Sequence, residues 1–199
     1  MNYLLRFARL VDGVNTRIDS VLIWLILAAV AISAGNAIVR KGFGISSNAL
    51  LEVQWYLFAA VFMLGAGYAF LRNAHVRIDF VSNRMSARTR NIVDSVGIVV
   101  FLLPLCYLMV TLSWPLFVGA WESGEMSANA GGLIRWPLYL LVPLGFALLA
   151  LQGVSELIKR IAFLVGAGPD LLGHHDAAAR KVAEQEIEEH AEHAKEEVR

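Results

Sequence analysis

Residues 65–80 read GAGYAFLRNAHVRIDF, and Arg72, His75, Arg77 and Asp79 fall within eight positions at its end. If the chain stays helical there, Arg72, His75 and Asp79 lie at i, i+3 and i+7, on one face. His75 and Asp79 are then one turn apart, close enough to hydrogen-bond. As a metal site they supply two ligands, fewer than a closed site needs. As an acid and base they lack a nucleophile or pocket partner. The reading that fits is a polar clamp that orders a loop, with plain membrane-edge charge as the alternative. A second polar set, Glu122, Glu125, Asn129 and Arg135, lies between Trp121 and Trp136. It reads either as a solvated loop or as a surface that meets a protein by complementary charge. His190 and His193, with Glu186 and Glu189, have the residue types of a metal site, but nothing near them orients such ligands.

Other chemistries lack their parts. No Lys, Arg, Asp, Glu or His sits in the middle of the long apolar windows. Such residues cost about 2.5–3.5 kcal/mol at a helix centre and are kept where ions, protons or substrates pass. Their absence argues against a self-contained pump, and the lack of histidine there against a haem anchor. The single cysteine, Cys106, excludes an intrachain disulfide or a CxxC pair. No Ser-His-Asp or HExxH arrangement is visible. The expected catalytic, cofactor and metal residues are therefore none.

What must position these residues is a membrane domain. Of 199 residues 57% are hydrophobic and 17% charged, with mean hydropathy +0.58, more apolar than a soluble domain of this length. Four charge-free windows, 20–39, 53–71, 95–121 and 136–155, each suffice for one crossing as a helix. Pro104 is expected to kink the third, and its Trp114-Pro115 end to reach the headgroup layer. Ten bases (Arg6, Arg9, Arg17, Arg72, Arg77, Arg84, Arg88, Arg90, Lys159, Arg160) fall on one side. The positive-inside rule then places both termini in the cytoplasm. Ala29-Val30-Ala31 resembles a signal cleavage motif, but cleavage would leave three spans and disturb the charge pattern. The fold class is thus an all-α membrane protein of four transmembrane helices with both termini cytoplasmic.

Residues 1–19 form an arm in which Leu4, Phe7, Val11, Val14 and Ile18 recur near helical spacing. It reads as an interfacial helix on the inner leaflet or as an extension of span one. Residues 20–165 are the membrane domain. Residues 166–199 form a charged cytoplasmic tail, helical or disordered, with eight acids and four bases from Asp176 onward. Within the spans, Ala31 and Gly35, Gly65 and Ala69, and Gly145 and Gly153 offer small faces, with Gln152 beside the last pair. Helices in lipid associate through such close approaches. Packing inside one bundle explains most of them; docking to a second membrane protein is the other reading.

Glu52 opening span two, followed by GAGYAFLRNAHVRIDF closing it, resembles the DctQ family, the small membrane subunit of tripartite ATP-independent periplasmic (TRAP) transporters. The matching positions are Glu52, Gly65, Ala66, Arg72, His75 and Asp79. A second stretch, GEMSANAGGLIRWPLYLLVPLGFALLALQGVSELIK, is similar to the branch labelled mannitol or chloroaromatic. The resemblance implies a non-catalytic subunit in the bacterial inner membrane. A large TRAP membrane subunit would carry the substrate and ion sites, and a periplasmic solute-binding protein would deliver an organic acid or similar solute. Those two proteins and membrane lipid are the expected partners, with no nucleic acid. Glu52, Arg72, His75, Asp79, Glu125 and Arg135 are the expected structural or partner-interface residues. Competing readings are a small redox anchor or enzyme, and a self-contained oligomeric channel or exporter.

Overall fold

The computed structural model describes residues 2–44, 47–73, 85–129 and 131–169. Its elements are α1 (Asn2–Phe43), α2 (Asn48–Leu71), α3 (Ala87–Gly97), a π-helical turn (Ile98–Leu102), α4 (Leu103–Ser123) and α5 (Trp136–Leu164). With α3, the π turn and α4 taken as one rod, four helices are long and apolar enough to cross a membrane. The side-chain distribution is that of a protein solvated by lipid: Trp24 and Phe62 are 69% and 75% exposed, whereas Gln152 and Ser155 are fully buried. Large apolar side chains turned outward lose nothing in hydrocarbon, so close packing falls to small and hydrogen-bonding residues.

The helix α5 is the hub. It packs on α1, on α2 and on α4, while α1 also packs on α2. Gly145 of α5 lies against the backbone of α2. A Cβ there would come within 2.6 Å of the Met63 carbonyl oxygen and 2.9 Å of the Met63 Cβ, so no larger residue fits at this helix spacing. Farther along α2, a Cβ at Gly67 would collide with the Asn15 side chain of α1.

At 1.5 Å per residue the 42 residues of α1 run roughly 63 Å, about twice a bilayer core. Residues 2–19 and the first span are thus one continuous helix. Its buried residues Ala8, Val11, Asn15, Leu22 and Ala29 follow steps of three, four and seven, a single stripe along one face. That stripe meets α2 and α5.

The third span shows how Pro104 is accommodated. Proline has no N–H and its ring crowds the carbonyl four residues back. The helix widens just ahead of it: the Leu103 N–H bonds the Ile98 carbonyl, five residues back, the spacing of a π turn. The widened turn rests on α5 at Gly153, where a Cβ would be 2.9 Å from Leu102 Cδ2. At the other proline, Pro115, α4 continues without a break to Ser123.

Candidate functional site

The polar side chains gather at the two ends of the helices. At one end, the segment between α4 and α5 is a hairpin. Gly124 in the left-handed region (φ 62°) closes α4, and Met126 and Ile134 form an isolated antiparallel bridge. Ser127 N–H donates to the Leu133 carbonyl at 2.9 Å, and Arg135 N–H to the Glu125 carbonyl at 2.9 Å. Across the base of this hairpin, Arg135 Nη1 donates to Glu125 Oε1 at 3.0 Å and to the Tyr139 hydroxyl at 3.3 Å. The Tyr139 contact, and after it Glu125, raises the Arg135 pKa beyond its ordinary value, so the guanidinium stays charged.

Glu52, in the first turns of α2, fastens this hairpin to the bundle. The residue is 3% exposed, and its carboxylate accepts three hydrogen bonds. The Ser127 hydroxyl and Asn129 Nδ2 (2.7 Å) reach Oε1, and the Leu133 backbone N–H (2.7 Å) reaches Oε2. One turn on, the Tyr56 hydroxyl donates to the Ile134 carbonyl at 3.1 Å. Two side chains at i and i+4 of one helix thus hold one strand of the hairpin. A carboxylate removed from water needs its lone pairs filled, and here the loop fills them. Trp121 and Trp136 stand edge to face beside it, 4.7 Å apart, with Phe117 behind them.

At the other end a second network joins α1 to α5. Asp12 Oδ1 accepts from Gln152 Nε2 (2.9 Å), Ser155 Oγ (2.9 Å) and Lys159 Nζ (3.1 Å), and Asp12 Oδ2 also accepts from Lys159, at 3.0 Å. Asn15 Nδ2 donates to Gln152 Oε1 at 2.8 Å, and Ser155 Oγ to the Ala8 carbonyl at 3.2 Å. Glu156 binds Lys159 and, at 2.6 Å, Arg160 Nη1. Arg160 also pairs with Asp94 of α3 at 3.5 Å. Lys159 and Arg160 are mostly buried, so these charges persist because each one is opposed.

The residues singled out in the sequence therefore divide. Glu52, Glu125 and Arg135 meet in one hairpin. Arg72 lies at the far end of α2, on the order of 30 Å from Glu52 by helix rise. It caps that helix, its N–H on the Tyr68 carbonyl, with Asn73 following at φ 55°. Its Nε donates to the Tyr68 hydroxyl at 2.8 Å, and its guanidinium lies 5.4 Å from that ring's centre. His75 and Asp79 lie outside the described residues, as do His190 and His193. Sequence reasoning missed Ser127, Asn129 and Leu133 as partners of Glu52, and Asp12 as the centre of the second network.

The family model for the tripartite ATP-independent periplasmic transporters, DctQ component, matches residues 29–163. The chain belongs to the DctQ family. It is accordingly a membrane component of a TRAP transporter and works alongside that transporter's other subunits. With four spanning helices it is a multi-pass protein of the inner membrane. A comparison with curated proteins gave no match. The matched region takes in Glu52, Gly145 and the hairpin, and it begins inside α1, after Asp12 and Asn15.

Proposed function

We infer that this chain is the non-catalytic small subunit that holds the large permease subunit in the membrane. That subunit would carry out ion-coupled uptake of an organic acid or similar solute delivered by a periplasmic binding protein. The observation that supports this most is how the polar side chains are used. Span centres carry no Lys, Arg, Asp, Glu or His, and the end networks commit Glu52, Asp12, Gln152, Glu156 and Lys159 to partners within the chain. Such a subunit offers shape rather than a path. Both termini are cytoplasmic in this reading, since the eight of those ten basic residues that are described lie toward the end where α1 begins and α5 closes. The hairpin then faces the periplasm, with Glu125 and Arg135 available to a binding protein.

The solute branch follows the likeness of residues 124–159 to the mannitol or chloroaromatic group. On the cytoplasmic side, Arg72, His75 and Asp79 act as a clamp on the loop, against the large subunit. His75→Ala should then reduce recovery of the complex while leaving substrate preference unchanged; intact complex with altered preference would count against the clamp. The scaffold reading itself is tested by purifying the tagged chain from its native membrane in mild detergent. A larger multi-span protein should co-elute in fixed ratio, and elution of this chain by itself would contradict the reading.

A further inference from the structure

The helix α5 ends in a turn that carries the chain back toward α1. Gly166 sits in the left-handed region (φ 76°). Its N–H bonds the Phe163 carbonyl at 2.9 Å, and the Ala167 N–H bonds the Ala162 carbonyl at 2.8 Å. Gly168 then lies against Ala162, where a Cβ would be 3.4 Å from the Ala162 Cβ. Ala162 is buried, and with Gly168 and Pro169 it borders one cavity shared with Leu5 and Arg9 of α1. The chain therefore leaves α5 beside the first turns of α1.

Those turns carry charge that the bundle does not oppose. Arg6 and Arg9 are exposed. Arg9 Nε donates to the Leu5 carbonyl at 3.4 Å, and the Arg6 guanidinium lies 6.0 Å from the Tyr3 ring centre. Among the described residues neither forms an ion pair, and Asp12, the nearest acid along the helix, is taken by Lys159. Tyr3, Phe7 and Leu10 also face outward here, Leu10 at 70% exposed. The Asp12–Lys159 and Arg160–Asp94 pairs mark a layer of charge across the bundle. From Asp12 back to Tyr3, α1 continues past that layer for on the order of 13 Å, away from the hydrocarbon that surrounds the spans.

The occupant of this face follows from charge and reach. The chain has 17 acids and 17 lysines and arginines, but from Asp176 onward there are eight acids and four bases. Residues 182–194 hold Glu184, Glu186, Glu188, Glu189 and Glu192 with no lysine or arginine, and add Val182 and Ile187 as apolar side chains. Glu184 comes 15 residues after Pro169, on the order of 22 Å of chain even at helical rise, which is ample to reach Arg9. A segment attached this close is present at an effective concentration on the order of millimolar, so weak surface pairs suffice to hold it.

We propose that residues 182–194, which lie outside the described residues, dock on the outward face of α1 between Tyr3 and Leu10, their glutamates pairing with Arg6 and Arg9. The contact joins the two ends of one chain and stands apart from the transporter role.

Gly13 supplies a reporter position. It follows Arg9 by four residues and Arg6 by seven, on the same side of α1, and a Cβ there meets nothing within 4 Å among the described residues. The full chain, with Cys106→Ala removing its single native cysteine, carries spin labels at Gly13→Cys and Ala191→Cys. It is reconstituted with its partners in liposomes of phosphatidylethanolamine and phosphatidylglycerol. Double electron–electron resonance should give a narrow distance below about 30 Å, since Gly13 is two turns from Arg6. Arg6→Glu with Arg9→Glu should lower that population at least about fivefold, as two attractions become repulsions. Adding Glu184→Lys, Glu186→Lys, Glu188→Lys and Glu189→Lys should restore it. A broad distribution before reversal, as when the arginines face the anionic leaflet or another subunit, overturns the proposal. A distance indifferent to reversal, or loss without recovery, overturns it equally. A second measurement keeps the charge in place. In the Arg9→Lys protein, carbodiimide should couple position 9 to a glutamate within residues 184–192, and no coupling to that segment would also overturn the proposal.

Discussion

One chemical change, glycine to alanine, should have opposite effects at two places in this bundle. At Gly145 the new methyl group would sit 2.6 Å from the Met63 carbonyl oxygen, 2.9 Å from Met63 Cβ and 3.0 Å from the Met63 carbonyl carbon. Two of these atoms are backbone, so no rotamer change relieves the overlap. The helices α2 and α5 must part by several tenths of an ångström, and overpacking of this kind costs about 1–3 kcal/mol. At Gly119 the same methyl meets nothing within 4 Å among the described residues, and the helix gains up to about 1 kcal/mol from alanine's higher propensity. For a chain of this size each kcal/mol moves the melting temperature by about 2–4 °C. Gly145→Ala should therefore melt about 2–12 °C below wild type, and Gly119→Ala up to about 4 °C above it. The chain carries its own reporter: Cys106 is its single cysteine and is 1% exposed. A maleimide that fluoresces on reaction with a thiol will follow its exposure during a thermal ramp. A Gly145→Ala protein at least as stable as wild type would refute the close α2–α5 approach on which the fold is built.

Three further outcomes follow from the end networks and the aromatic cluster. Glu52→Gln leaves one fewer acceptor for three donors, so the Leu133 amide should exchange with solvent at least about tenfold faster, measured by hydrogen–deuterium exchange. An unchanged rate would mean the carboxylate does not hold the hairpin. Gln152→Leu removes bonds to Asn15, Asp12 and Glu156, and with about 0.5–1.5 kcal/mol for a neutral hydrogen bond and more for a charged one, it should cost about 2–4 kcal/mol in the same thiol assay. Trp121→Ala removes the 4.7 Å edge contact with Trp136, which is worth about 0.5–1.5 kcal/mol beyond buried area. It should also shift the remaining tryptophan emission to the red as Trp136 is wetted.

Much of this was legible in the residue order. Runs without charge marked all four crossings, because an uncompensated charge in hydrocarbon is too costly to hide. Pro104 marked an interruption in the third span, but not that it would take the form of a π turn with Leu102 resting on Gly153. Glu156 pairs with Lys159 and Arg160 at the i+3 and i+4 spacings that a helix dictates. The partners of Glu52 were not legible, since Ser127, Asn129 and Leu133 lie 75, 77 and 81 positions away. Asp12 reaches Gln152, Ser155 and Lys159 across 140 to 147 positions, and only packing of α1 on α5 joins them. The resemblance put Glu52 at the opening of span two and Arg72 at its close, and the two stand at opposite ends of one helix.

The most direct measurement places the purified chain in sealed liposomes, by itself and with the large membrane subunit, and follows uptake of labelled solute in the presence of an ion gradient and the binding protein. Liposomes with both subunits should accumulate solute, and those holding only this chain should match empty ones. Saturable uptake into vesicles that hold only this chain would contradict the account.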